Sequence, residues 1–171
     1  MSTAPDNPFW AFSLRVYRRA GVAPACLRLQ DGYDVDVNLL LYCCWRGTVD
    51  GVAMPQSDID AAMRLVDVWR ESVVRPLRET RRCMKAGYDG FDRTGSDALR
   101  SEVKRLELDA ERLQQAALFE SGRKSAASAA VPGGSDAARS NVAAYLNAMG
   151  ADLDVDAKAD CALILERCCD G

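Results

Sequence analysis

The stretch DVDVNLLLYCCWR, from Asp34 to Arg46, decides the fold of this chain because it is apolar on nearly every side of a helix. Only Asp36 and Asn38 are strongly polar positions in its interior. A helix that is apolar all round belongs in the middle of a core. The seven-residue run from Leu39 to Trp45 is too short to span a bilayer, which takes about 20 apolar residues. We therefore predict a central, buried helix over this stretch.

Helical spacing continues on both sides, because apolar residues recur at intervals of three and four along most of the chain. The first helix is expected to begin with Asn7 as its cap and Pro8 in its first turn. Two long segments, 57–86 and 96–120, are joined by a short turn and predict an antiparallel helical hairpin, with an interruption at Pro76. An intermolecular coiled coil through the second segment is the alternative. The predicted seam of that segment is Leu99, Val103, Leu106, Ala110, Leu113 and Ala117.

Composition divides the 171 residues into three parts. Residues 1–120 predict a compact multi-helix bundle, and residues 136–171 predict a two-helix C-terminal tail. Between them, SGRKSAASAAVPGGS at 121–135 is rich in small residues and predicts a flexible connector. Two arrangements of the tail stay open, docking on the bundle or forming a small satellite. With 49% hydrophobic residues and a net charge of −3, the chain is not disordered overall, and we expect an all-α fold.

Histidine is missing from the sequence, which removes the commonest general base and the commonest metal ligand. The seven cysteines cannot form a complete set of disulfides, and none belongs to a C-x-x-C motif. Small core residues are the favoured interpretation of Cys26, Cys43, Cys44, Cys161 and Cys168. The alternatives are a thiolate metal site that joins the two adjacent cysteine pairs, and redox sensing. We expect no metal and no cofactor.

Motifs for nucleotide binding do not occur either, since the chain contains neither GxGxxG nor GxxxxGK[ST]. The acidic run that starts at Asp152 fails as an EF-hand, because Ala157 stands where glycine is required and Leu163 where glutamate is required. Without histidine, the usual nucleophile–base pairs cannot form. We predict no catalytic residue, and the question of enzymatic activity stays open with the balance against it.

A row of cations is the strongest surface signal. Arg75, Arg78, Arg82 and Lys85 recur at helical spacing on one side of a predicted helix, and Arg81 stands beside them. Such a row can bind phosphate groups or carboxylates, so we expect a protein partner with an acidic or phosphorylated surface. The sequence pI of about 5.1 argues against nucleic acid. The alternatives are a solvated face and pairing within the chain, for example with the acidic tail.

Polar positions within the central apolar helix are the second signal. Buried polar side chains usually satisfy loop backbone groups and fix a unique core. A pocket around Asp36, Asn38, Tyr42 and Trp45 is the alternative. The main functional prediction is thus a non-enzymatic interaction module, adaptor or regulatory, that uses the arginine-rich face. The alternative prediction is a small-molecule-binding protein or an enzyme with its site in this pocket. The sequence leaves the oligomeric state open.

Several stretches between residue 7 and about residue 120 resemble a family of small proteobacterial all-helical proteins of unknown function. The resemblance implies a cytoplasmic, all-α protein. The N-terminus lacks a secretory signal pattern, and we expect no attachment to a membrane. It implies no activity, cofactor or catalytic residue. The stretches are NPFWAFSLRVY (7–17), GVAPACLRLQD (21–31), DVNLLLYCCW (36–45), WRESVVRPLRETRR (69–82) and LRSEVKRLELDAER (99–112).

Overall fold

The computed structural model describes residues 7–124 and 134–170, and within these ranges the chain forms a bundle of helices. The all-α prediction is confirmed. Of the predicted connector 121–135, the stretch 125–133 lies outside the described residues, whereas its two ends belong to helices. In chain order the helices are α1 (Pro8–Tyr17), α2 (Val22–Tyr33), α3 (Val37–Thr48), α4 (Gln56–Trp69), α5 (Arg75–Cys83), α6 (Arg93–Lys124), α7 (Gly134–Ala148) and α8 (Val155–Cys169), with a π-helical turn (Arg70–Val74) between α4 and α5.

The central helix α3 begins at Val37, three residues later than the sequence pattern predicts. Asp34 instead takes a left-handed conformation, with φ of 56°, and ends α2. Asp36 caps α3, because its carboxylate accepts hydrogen bonds from the backbone N–H groups of Asn38 (2.8 Å) and Leu39 (3.3 Å). Ten of the twelve residues of α3 are buried, as an all-round apolar sequence predicts.

Helix α7 packs directly against α3, and α8 packs on α2. The side chain of Asn141 on α7 is fully buried. It donates hydrogen bonds to the carbonyls of Cys43 (3.2 Å) and Val52 (2.9 Å), and it accepts one from the N–H of Met54 (2.7 Å). These bonds join α7 to α3 and to the loop that follows α3. Both tail helices therefore dock on the bundle, which the sequence left open.

Helix α4 passes into α5 through the π-helical turn, where the sequence predicts an interruption at Pro76. In this turn the backbone N–H of Arg75 donates to the carbonyl of Arg70, five residues earlier. A proline lacks the backbone donor and crowds the carbonyl four residues before it, which here belongs to Ser72. The wider π turn accommodates both effects just ahead of the ring. Pro76 therefore reshapes the helix without ending it.

Helix α6 is the second arm of the predicted hairpin and packs against α4 and α5. It begins at Arg93, three residues before the start that the sequence predicts for this segment. Val103 and Ala110 of the predicted seam are buried. The seam residues that the prediction places wrongly, because they are exposed, are Leu99, Leu106, Leu113 and Ala117. Further residues on the buried face are Glu107, Gln114, Gln115 and Leu118. Because α6 also contacts α1 and α3, its buried face is broader and more polar than a heptad seam.

The five cysteines that the sequence assigns to the core are buried, whereas Cys83 and Cys169 are exposed. Burial raises the pKa of Cys43 to about 12 and that of Cys161 to about 11, so both sulfurs stay protonated. Among the described residues, no group of three or more cysteine and carboxylate side chains is arranged to hold a metal ion. Within the same residues, no helix combines the length and the apolar character that crossing a membrane requires.

Candidate functional site

A cleft of about 530 Å³ opens between the pair α1–α2 and the pair α5–α6, with α3 as its floor. It exists because α2 packs mainly on α8 while α6 packs on α5 and α4, which leaves a gap above α3. Sites that hold small molecules have volumes of about 300 to 1,000 Å³. The cleft therefore has the size of a small-molecule site.

Apolar side chains form most of the walls of the cleft. Trp10 and Leu14 come from α1, Leu27 from α2, Leu41 from α3 and Leu108 from α6. Leu41 is buried at the bottom, whereas Leu27 and Leu108 are about half exposed at the mouth. Covering these walls with a ligand removes apolar surface from water, which is the general driving force for binding in such sites.

Three polar side chains, Ser13, Asn38 and Gln115, lie at the bottom of the cleft. The amide Nε2 of Gln115 donates a hydrogen bond of 2.7 Å to Oδ1 of Asn38. Ser13 is only 4% exposed and Gln115 only 2% exposed. Nevertheless, Oγ of Ser13 and Oε1 of Gln115 have no hydrogen-bond partner among the described residues. Both atoms are closed off from solvent, so they lie beneath the surface of the cleft.

One side of the cleft carries an ion-pair cluster of Arg78, Arg81, Glu107 and Glu111. Nε of Arg78 lies 3.0 Å from Oε1 of Glu107, and its NH2 group lies 2.7 Å from Oε1 of Glu111. Arg81 also pairs with Glu107. Burial acts to raise the pKa of Glu107, but the hydrogen bonds and charges of Arg81 and Arg78 outweigh it and hold the pKa below its ordinary value. The cluster thus joins α5 to α6 and has no net charge.

Cys26 brings a sulfur atom to the wall of the cleft. Burial raises the pKa of this thiol to about 12, so it stays neutral near pH 7. A neutral, buried thiol is a poor nucleophile and a good apolar neighbour. Cys26 therefore contributes to the apolar lining.

The structure divides the predicted cation row between two environments. Its two inner members belong to the ion-pair cluster. Arg75 pairs with Glu71 at 3.1 Å, Arg82 pairs with Asp31, and Lys85 is exposed. Within the described part of the chain, the row pairs with acids at the C-terminal end of α2, in the π-helical turn and on α6, and not with acids of the tail. The binding surface for an acidic partner stays a prediction, with the three outer cations accessible to solvent.

A second cleft of about 520 Å³ lies between α5 and the loop that joins α7 to α8. It brings Asp152 of the tail to the same side of the bundle as the outer arginines. Four arginines and four carboxylates balance each other, so the cleft offers no excess charge to an anion. These residues are Arg70, Arg75, Arg78, Arg82, Asp31, Asp34, Glu79 and Asp152.

Asn38 lines the first cleft, but the pocket predicted around Tyr42 and Trp45 is filled by aromatic packing. The ring of Phe9 lies 5.5 Å from both the Tyr42 and the Trp45 ring, measured between centroids. Phe119 lies 5.5 Å from Trp45 on the other side. Helices α1 and α6 thus close over the C-terminal half of α3, and the open space lies beside its N-terminal half. Tyr42 and Trp45 therefore lie outside the open space of the first cleft, and a ligand site at these two residues stays a prediction.

Asp36, the fourth predicted pocket residue, also lies outside the first cleft. Besides capping α3, its carboxylate accepts a hydrogen bond of 2.6 Å from Nε2 of Gln114 and lies 3.7 Å from Nε of Arg70. Burial raises its pKa, against the opposing effect of the Arg70 charge. The backbone N–H of Asp36 donates a hydrogen bond of 2.9 Å to the hydroxyl of Tyr145 on α7. Asp36 is therefore a structural junction of α3, α6 and α7.

Sequence reasoning missed the cleft residues Trp10, Ser13 and Leu14 on α1 and Gln115 on α6. Ser13 lies one helical turn after Phe9, so it stands on the buried side of α1. The sequence therefore contains a signal for Ser13, namely a polar residue on the buried side of a predicted helix. Gln115 has a similar signal, since it stands in an otherwise apolar part of α6.

The chain matches a family model over residues 8–118, and the family is described as Protein of unknown function (DUF2390). This range contains every residue that lines the cleft. Neither the curated proteins nor the solved structures give a match. Because the family model covers more than half of the chain, this protein belongs to that family of unknown function, as the resemblance of its sequence indicates.

Proposed function

We propose that this protein binds a small molecule in the cleft between α1–α2 and α5–α6. The observation that carries the proposal is a cleft of about 530 Å³ with leucine and tryptophan walls above the buried residues Ser13, Asn38 and Gln115. Apolar walls above a few converging polar groups are typical of small-molecule sites. Binding is the function that this arrangement supports, since the size and the apolar walls of the cleft suit a ligand and the Cys26 thiol is neutral.

Water occupies an open cleft of this kind in the free protein, and a ligand displaces it. Covering the leucine and tryptophan walls contributes about 25 cal/mol per Å² of apolar surface removed from water. This burial of apolar surface is what makes binding favourable.

Blocking the cleft is expected to abolish retention of the ligand. Ala23 lines the cleft on α2, and a phenylalanine there would occupy part of the space. We expect wild-type protein, incubated with a small-molecule extract of bacterial cells and desalted, to retain a compound that mass spectrometry detects. Ala23→Phe should retain it at least tenfold less well.

Ala61→Phe is the matched control, because Ala61 is exposed on α4 and lies outside the cleft. Its retention should equal that of the wild type, and both variants should unfold at a similar temperature. Retention of nothing by the wild type, or equal retention by both variants, would contradict the proposal.

The interaction surface predicted from the sequence is the second candidate function. It gains support from Tyr88 and Phe91, which are exposed in the loop after α5 with their rings 6.0 Å apart. Arginines and aromatic residues are enriched at protein interfaces. The outer cations Arg82 and Lys85 stand close to this pair along the chain.

Charge reversal at the outer cations is expected to release a protein partner, if this surface binds one. Arg82→Glu combined with Phe91→Ala should reduce the amount of a specific co-purifying protein at least tenfold. The exposed Arg105 lies on α6 away from the cation row, so Arg105→Glu is the control and should leave the complex intact. The same proteins recovered in equal amounts with both variants would rule out this surface.

A further inference from the structure

The charges that line the cleft do not balance. In the ion-pair cluster two arginines are held by two glutamates, so these four side chains neutralise each other. Lys104 on α6 also lines the cleft, and no carboxylate among the described residues lies within ion-pair distance of it. The lining therefore carries one positive charge in excess.

The excess charge is accessible to a ligand, because Lys104 is exposed to solvent. Four lining residues recur at intervals of four, three and four along α6 and therefore share one face of it: Lys104, Leu108, Glu111 and Gln115. Leu108 follows Lys104 by one helical turn, a rise of about 6 Å. A ligand whose charged group pairs with the Lys104 ammonium thus has an apolar wall directly beside that group.

The walls indicate the rest of the ligand. Leu27 and Leu108 stand at the mouth of the cleft with about half of their surface exposed, while Leu41 is buried at the bottom. A hydrocarbon chain that runs from the mouth toward Leu41 covers all three leucines and removes them from water. The cleft thus combines an apolar interior with a single accessible cation.

Resting on the proposed small-molecule function, we infer that the ligand is an amphiphile with one negative charge, whose carboxylate pairs with Lys104 and whose hydrocarbon chain lies between the leucine walls. A single negative charge neutralises the excess of the lining, whereas a cationic group adds to it. A cationic group also finds a carboxylate in the cluster only by displacing an arginine, which leaves a buried charge without its partner. Medium-chain fatty acids, which are ionised near pH 7, belong to this class.

Three probes of equal chain length test this class by calorimetric titration of the full chain near pH 7: octanoate, octylammonium and 1-octanol. We expect octanoate to bind about tenfold more tightly than octylammonium, since an exposed ion pair favours the first and a like charge opposes the second. 1-Octanol measures the contribution of the apolar walls alone. Ala23→Phe should weaken the binding of octanoate and of 1-octanol, which places both probes in the cleft.

Lys104→Met removes the charge and keeps an unbranched side chain. The affinity for octanoate should fall about threefold, while the affinity for 1-octanol stays within about twofold of the wild type and so controls for damage to the fold. Lys104→Glu should reverse the order, so that octylammonium binds more tightly than octanoate.

Lys158→Met is the matched control, because Lys158 is an exposed lysine on α8 that lies outside the cleft. It changes the net charge of the protein by the same amount as Lys104→Met. Its affinity for octanoate should equal that of the wild type.

Equal or tighter binding of octylammonium by the wild type, or equal losses of octanoate affinity in Lys104→Met and Lys158→Met, would overturn the inference but leave small-molecule binding intact. Failure of all three probes together with a retained compound from the cell extract would also overturn the inferred class alone. Failure of the probes and of the extract would overturn the proposed function itself.

Discussion

Glu107→Ala is expected to lower the free energy of unfolding by about 3 kcal/mol, because it removes the centre of a buried charge cluster. The Glu107 carboxylate binds Arg78 from one side and Arg81 from the other, and it is almost completely buried. Without it, Arg81 loses its carboxylate partner and Arg78 keeps Glu111 only. Urea denaturation followed by circular dichroism measures the loss.

Glu102→Ala is the matched control on the same helix. Glu102 is exposed and pairs with Arg105 at 3.1 Å, so its removal should cost less than about 1 kcal/mol. Similar losses for Glu102→Ala and Glu107→Ala would show that the buried cluster adds nothing beyond a surface ion pair.

The pH dependence gives a second measurement of the same cluster. The pKa of Glu107 is lowered from 4.5 in the folded protein, so its contribution to stability is full above that pH. The contribution is lost as the pH falls through the folded-state pKa. The difference in unfolding free energy between wild type and Glu107→Gln should therefore shrink below about pH 4.5. A difference that grows on acidification would contradict the assignment.

Gly47→Ala is expected to destabilise the protein by about 3 kcal/mol or to separate α7 from α3. A Cβ atom at Gly47 would lie 2.2 Å from the backbone nitrogen of Ala138 and 2.3 Å from its Cα. Backbone atoms cannot move aside as a flexible side chain can, so the two helices must shift apart. Thermal unfolding and accessibility of the α7 amides to hydrogen exchange would both report the change.

Gly32→Ala is the control for the intrinsic effect of the substitution. Gly32 lies in α2, and a Cβ atom there meets nothing within 4 Å. Alanine favours a helix over glycine, so this variant should keep or slightly increase the stability. If Gly47→Ala lowered the stability no more than Gly32→Ala, then α7 would not pack against α3 as closely as the structure shows.

Rules that apply within a single helix, such as capping and apolar spacing, were sufficient to predict much of the fold. Asn7 caps α1 as predicted, with its side chain 2.8 Å from the backbone N–H of Trp10. The burial of α3 was also predictable, because a helix that is apolar on every side has a single stable environment. The start of α3 was not, because the left-handed turn at Asp34 depends on how α2 ends against its neighbours.

The buried face of α6 shows where local rules fail. Leu106 fits a heptad seam but is exposed, whereas Glu107 beside it is buried. The spacing of apolar residues does not distinguish one leucine of α6 from another. It also contains no information about the two arginines of α5 that pair with the Glu107 carboxylate. Polar burial of this kind is determined by partners distant in sequence.

The candidate site was predictable only in fragments. Asn38 and Arg78 were both named from the sequence, but as parts of two different features. The structure places them in the lining of one cleft, together with Ser13 and Gln115, which no pattern connects to them.

The sequence by itself determined that this protein is all-helical, that α3 forms its centre and that five cysteines pack in its core. These properties follow from the spacing of apolar residues along single helices, which is a local quantity. Only the tertiary structure decided that the tail helices dock, that the arginine row pairs with internal acids, and that a cleft with apolar walls opens beside Asn38. Each of these depends on how distant helices meet, since close packing fills the space beside Trp45 and leaves it open beside Asn38.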